Sequence, residues 1–186
     1  MPVLHLRRGI LLACLLALAV NLGAQGLTRD LTVVLLRHAE RQSLFDADSP
    51  LAEAGLRRAQ ALVPLLEGFR PAALYTSDLR RTQQTLAPLA AKLGMVPLVR
   101  SKDGSEALAA ELLRDHRGRT VIVCWHHDLV KKVARGLGVK GPLPYWTLDT
   151  YDRLWIVRVP AQGAVTLEER IQEPSAPAAA GAAQGR

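Results

Sequence analysis

Six short apolar runs alternate with segments of helical spacing, and this alternation constrains the chain more than any other feature of its sequence. Leu31–Leu36 and Thr120–Trp125 are continuous apolar or β-branched stretches, the pattern of strands buried on both faces. Ala72–Tyr75, Val96–Val99, Leu154–Val159 and Ala164–Glu168 read as further strands. Between them, Glu53–Leu66 sets Leu56, Ala59, Leu62, Val63 and Leu66 at helical spacing. Helices are also expected at Leu79–Leu93 (despite Pro88), at Ser105–His116 with Ser105 as cap, and at Leu129–Leu137 with Asp128 as cap. Such alternation predicts an α/β fold, a three-layer sandwich with a mostly parallel central sheet flanked by helices. Ligands of such sheets bind beyond the carboxyl ends of the strands, so residues at those ends are the ones to inspect.

The two ends of the chain read differently. Residues 1–26 have the make-up of a secretory signal: Arg7 and Arg8 as the basic region, an apolar core from Ile10 to Val20, and a small-x-small cleavage site at Ala24-Gln25-Gly26. A retained anchor is the alternative for this segment. The expectation is an exported protein, periplasmic or extracellular, with no stable membrane insertion after the leader is removed. Residues 174–186 are Ala, Pro, Gly, Ser and Gln with a single charge, too little apolar surface to order themselves. Residues 27–173 then form one domain. Aromatics are only 4% of the chain, so its core must be built from Leu, Val, Ala and Ile. Of the two cysteines, Cys14 lies in the leader and Cys124 ends a strand, which leaves no disulfide or metal-type spacing.

Three clusters sit at strand ends. Arg37-His38-Ala39-Glu40 follows the first strand. A neutral imidazole can attack phosphorus, and an adjacent guanidinium fits phosphate oxygens as a fork. Tyr75 to Thr85 runs from a strand into a helix and puts Arg81 in the first helical turn, where backbone N–H groups and the helix dipole favour an anion. Val121 to Asp128 ends in His126-His127-Asp128. Adjacent histidines do not share a face as ligands at i and i+4 do, so metal binding is a poor reading. No metal or cofactor is expected.

Taken together the clusters resemble the histidine phosphatase superfamily, which also contains phosphoglycerate mutases. Leu36-Arg37-His38-Ala39-Glu40 is similar to its Arg-His-Gly signature, with Ala in the Gly position. Pro50-Leu51-Ala52-Glu53-Ala54-Gly55 is similar to its Leu-Thr-x-x-Gly segment, with Ala52 for Thr. Ser77 to Thr85 is similar to its Ser-x-Leu-x-Arg-Ala-x-x-Thr segment, and Thr120–His126 to the strand that leads to its second histidine. Tyr151 to Trp155 is similar to a strand start of its small exported members. The resemblance runs from about Thr32 to Val159. It implies a phosphoglycerate mutase-like fold and a phosphate pocket of Arg37, His38, Arg81 and His126. His38 would attack in line and become phosphohistidine, and Arg37, Arg81 and a protonated His126 would neutralise the oxygens without a metal. The implied substrate is a phosphomonoester or phosphoramidate, carried by a phosphorylated small molecule or a phosphohistidine protein.

Several residues depart from the family pattern. Trp125 stands where a small residue is usual and would alter the pocket floor. The proton donor has no clear counterpart: Asp128 is the first candidate, Glu106 the second, and Glu40 would orient the pocket through hydrogen bonds. A catalytically weak or inactive phosphate-binding member of the same fold is therefore the alternative. The net charge of +7 suits acidic partners in general, but no basic run with interleaved aromatics points to nucleic acid. Specificity is expected from loops 42–49 and 140–150, where Tyr145 and Trp146 either line the mouth or pack against the body.

Overall fold

The computed structural model describes residues 29–172; the leader and the Ala/Pro-rich tail lie outside the described residues. Six strands form one sheet: β1 (Leu31–Arg37), β2 (Ala73–Ser77), β3 (Leu98–Arg100), β4 (Thr120–Trp125), β5 (Arg153–Val159) and β6 (Thr166–Ile171). Their spatial order is β3-β2-β4-β1-β5-β6. The first four run parallel, and β5 and β6 add an antiparallel ribbon at one side. The helices are α1 (Glu53–Glu67), α2 (Arg80–Leu93), α3 (Ser105–Asp115) and α4 (Val130–Gly136). No helix among the described residues is long and apolar enough to cross a membrane.

Strand alternation sorts the core into two halves. Val34, Leu36, Leu74, Ile122 and Cys124 face α1 and α2, against Leu62, Leu66, Leu86 and Leu89. Val33, Leu35, Val121, Val123, Trp125 and Trp155 face α3 and α4, against Leu108, Leu112, Val130 and Val133. This is the three-layer sandwich expected from the sequence. Cys124 is fully enclosed, and burial raises its thiol pKa.

The departures from expectation have local causes. The third strand starts at Leu98 rather than Val96; Pro97 has no N–H to give a ladder. The last strand is Thr166–Ile171 rather than Ala164–Glu168. Its charged residues suit an edge, where Glu168 pairs with Arg158 and Arg170. Ser105 does not cap α3, because its Oγ accepts the Trp125 indole N–H at 3.1 Å. Asp128 does not cap α4, whose first carbonyl partner is His126: the N–H groups of Leu129 and Val130 both reach His126 O.

One close approach prepares the site. A Cβ built on Gly55 would lie 2.2 Å from the Glu40 carbonyl oxygen, so only glycine lets α1 rest on the chain just after His38. Ala52 caps α1 without a side chain, and its N–H bonds Glu40 O at 2.9 Å.

Candidate active site

Sheet register performs the first step of assembly. Arg37 pairs with Trp125 across the parallel β1 and β4, so His38 and His126 leave adjacent strand ends side by side. Their rings lie 5.5 Å apart, both are buried, and the His38 N–H donates to Trp125 O. The two rings face a cavity of about 250 Å³ that Arg37, Arg41, Arg81 and Lys102 also line.

The tautomer of His38 follows from its partner. Nδ1 lies 2.7 Å from Ala39 O; a carbonyl only accepts, so Nδ1 holds the proton and Nε2 keeps its lone pair. Burial is the main cause that lowers the His38 pKa from 6.5 to about 2, and Arg37, Arg81 and His126 push the same way. The ring therefore stays neutral throughout the ordinary pH range. Thr85 pins the adjoining backbone: its Oγ1 accepts Ala39 N–H and donates to Arg81 O.

His126 is also neutral, contrary to the protonated state expected from the family resemblance. Its Nδ1 lies 3.4 Å from Arg81 Nη2, which can only donate. The proton is therefore on Nε2, which donates to Ser77 Oγ at 2.9 Å. Ser77 passes its own proton to Thr82 Oγ1, and Thr82 donates to Leu79 O. Burial, then Arg81, lowers the His126 pKa to about 4. In the empty pocket a protonated His126 would face the Arg81 cation with no anion beside it.

The two expected arginines converge from different directions. Arg37 commits Nη1 to the carbonyls of Thr147, Leu148 and Thr150 at 2.7–3.1 Å, and its guanidinium carbon sits 4.0 Å above the Tyr151 ring. Arg81 commits Nη1 to Ala47 O at 2.8 Å. Loops 42–49 and 140–150 thus act here as clamps on the two guanidiniums. The Nε atoms of Arg37, Arg41 and Arg81 are buried without partners. Unsatisfied charged donors are costly, on the order of 1–3 kcal/mol or more each, and an anion in the cavity would relieve that cost.

The other sequence candidates divide. Asp128 lines the cavity with its side chain 63% exposed, 3.7 Å from His127 Nδ1. Glu106 is exposed in the first turn of α3, outside the cavity lining. Glu40 turns away from the cavity and grips Arg58 through both carboxylate oxygens. Trp125 does not form the pocket floor: it neighbours His126 on the strand, so alternation sends its side chain to the α3 face. Of the loop aromatics, Trp146 is core, packed on Trp155 and bonded to Glu169, whereas Tyr145 is exposed.

Sequence reasoning missed Arg41, Lys102, Ser77, Thr82 and Tyr151 as parts of the site. Lys102 follows β3, so the rule that ligands gather at carboxyl ends of parallel strands could have nominated it. The hydroxyl relay from Ser77 through Thr82 had no signal beyond its motif. Among the described residues no group of three or more His, Cys, Asp or Glu is arranged to hold a metal ion.

Residues 33–107 match the family model described as histidine phosphatase superfamily (branch 1). No curated protein matches the sequence. Among solved structures, similarity extends to a mycobacterial glucosyl-3-phosphoglycerate phosphatase at 16% identity and TM-score 0.57, covering 79% of this chain and 100% of that one. A protein provisionally described as a phosphohistidine phosphatase from Nakamurella multipartitia is 23% identical with TM-score 0.53, covering 79% and 98%. A phosphoserine phosphatase from Entamoeba histolytica, complexed with 3-phosphoglyceric acid, is 14% identical with TM-score 0.58, covering 78% and 98%. At these identities the likeness is one of fold.

Proposed function

The chain belongs to the histidine phosphatase superfamily, and from that premise we propose that it is a metal-independent phosphatase working through a phosphohistidine on His38. The observation that carries the proposal is the buried, neutral His38 ring whose Nδ1–H is held by Ala39 O, leaving Nε2 as a lone-pair nucleophile among guanidiniums. In the proposed reaction Nε2 attacks phosphorus as the bond to the leaving oxygen breaks. Arg37 and Arg81 hold the equatorial oxygens, which is where most of the rate enhancement of phosphoryl transfer arises. Arrival of a phosphate dianion would raise the His126 pKa and let that ring add a second positive charge. Asp128, at the cavity edge, gives the leaving oxygen its proton and takes one from the water that then cleaves the phosphohistidine. Inorganic phosphate leaves and Nε2 regains its lone pair.

Substrates under this reading are phosphomonoesters or phosphoramidates, on a small molecule or on a phosphohistidine protein. The alternative of an inactive phosphate-binding member loses its main support with Trp125 turned to the opposite face. Export through a leader at residues 1–26 belongs to the same proposal, and N-terminal sequencing of the mature protein tests it.

An aryl phosphate assay with and without chelator tests the activity. Turnover that survives chelator, vanishes in His38→Ala and leaves an acid-labile phosphoprotein in wild type is the expected result. Phosphate binding without turnover of any good leaving group would replace it with the binding-module reading.

A further inference from the structure

The cavity holds more fixed positive charge than one phosphoryl group needs. Arg37 and Arg81 together match a phosphate dianion, and both share their charge with backbone carbonyls through Nη1. His38 and His126 are neutral in the empty pocket. Arg41 and Lys102 add two further cations to the lining, and Asp128 is the only carboxylate on it. Lys102 is partly engaged with Asp103 at 2.6 Å on the exposed turn before α3. Arg41 has no such relief: among the described residues it makes no ion pair and no side-chain hydrogen bond, and its Nε is buried without a partner. It also stands close enough to Arg37 and Arg81 to be among the causes that lower the pKa of both. A half-buried guanidinium held beside two others is unfavourable unless an anion shares the space.

Position separates Arg41 from the phosphoryl group. It lies three residues beyond His38, after the chain has left β1, where an isolated bridge to Leu51 anchors its backbone. The neighbouring Glu40 is already bound to Arg58 and cannot neutralise it. We propose that Arg41, aided by Lys102, forms an outer anion subsite, so that the preferred substrates are phosphate esters whose leaving group bears a second anionic group. A carboxylate or a second phosphate would meet the guanidinium fork while the ester phosphate sits between Arg37 and Arg81.

This inference rests on the phosphatase reading, and one experiment separates their failures. The probes are phenyl phosphate and its 3-carboxyl and 4-carboxyl derivatives, assayed on the full described domain as wild type, Arg41→Ala and Arg41→Lys. Wild type is expected to favour at least one carboxylated ester by about tenfold in kcat/KM, the scale of one charge-assisted hydrogen bond. Arg41→Ala should level that ratio, and Arg41→Lys, which keeps charge but not the fork, should retain part of it. Circular dichroism and the ratio itself, an internal control for the amount of folded enzyme, guard against misfolding. Wild type that hydrolyses all three esters alike overturns the outer subsite and leaves the phosphatase standing. An Arg41→Ala variant slowed equally on all three places Arg41 on the phosphoryl group instead and also overturns it. Turnover of none of the esters overturns both readings.

Discussion

Two buried clusters in this molecule contain a neutral histidine beside an arginine, and only one of them can act on a ligand. In the first, His38 and His126 face a cavity with guanidiniums whose Nε–H groups lack partners. In the second, Tyr75 donates to Glu111 at 2.8 Å and accepts from His116 Nε2 at 2.8 Å, while Arg100 grips Glu111 at 2.6 and 2.8 Å. Here the cation meets its carboxylate inside the protein. Burial and a shifted pKa are common to both clusters. What differs is unspent positive charge aimed at open space, and that is the feature diagnostic of a site.

The sharpest way to break this contrast is to remove the nucleophile. His38→Ala should lose on the order of 10⁴–10⁶-fold in kcat on an aryl phosphate with little change in unfolding midpoint. Residual turnover near the wild-type level would mean that the first cluster only binds. Arg81→Ala comes next. It should lower kcat by about 10²–10³, or about 2.7–4 kcal/mol of transition-state stabilisation. The same variant should lose the upward shift in melting temperature that inorganic phosphate gives the wild type through binding to the folded state alone. In the second cluster the effects should invert. Tyr75→Phe leaves the His116 Nε2–H unsatisfied, at a cost of roughly 1–3 kcal/mol in stability, with kcat/KM within about twofold and the phosphate shift intact. A Tyr75→Phe enzyme slowed tenfold would show that the two clusters communicate.

Why one cluster was legible in the sequence and the other was not follows from how each is assembled. His38, Arg81 and His126 each follow a strand or open a helix, so motif and element arrive together, and parallel pairing brings the strand ends into register. The strands and helices were legible for the same reason: apolar periodicity reports a buried face. Side-chain direction was not. Trp125 looked like an obstruction because its place in the chain is next to His126, yet alternation on β4 carries it to the other face. The tautomer of His126 depends on Arg81 and Ser77, neither close to it in sequence. Caps failed for a similar reason: Ser105 is drawn off by the Trp125 indole, a partner 20 residues away. The second cluster joins residues from β2, β3, α3 and the turn after it through side-chain contacts only, which leave no periodic trace.

The smallest expected effect tests both clusters at once through acid stability. His38, His126 and His116 are all held below the usual histidine pKa of 6.5, chiefly by burial. Each is neutral in the fold, whereas the unfolded chain takes up these protons as pH drops below about 6.5. The unfolded state therefore binds more protons in that window, and stability falls as pH falls. Urea unfolding followed between pH 7 and 5, above the range where carboxylates dominate, should show this decline. Bound phosphate should reduce the part that comes from the pocket, because an anion beside His126 makes its protonated form acceptable in the fold. It should not touch the part from His116, whose Nδ1 is buried and unpartnered and whose cluster has no open cavity. That remainder should disappear in His116→Asn. If saturating phosphate abolishes the whole pH dependence, the His116 ring is not held neutral by its surroundings, and the two clusters differ in more than their unspent charge.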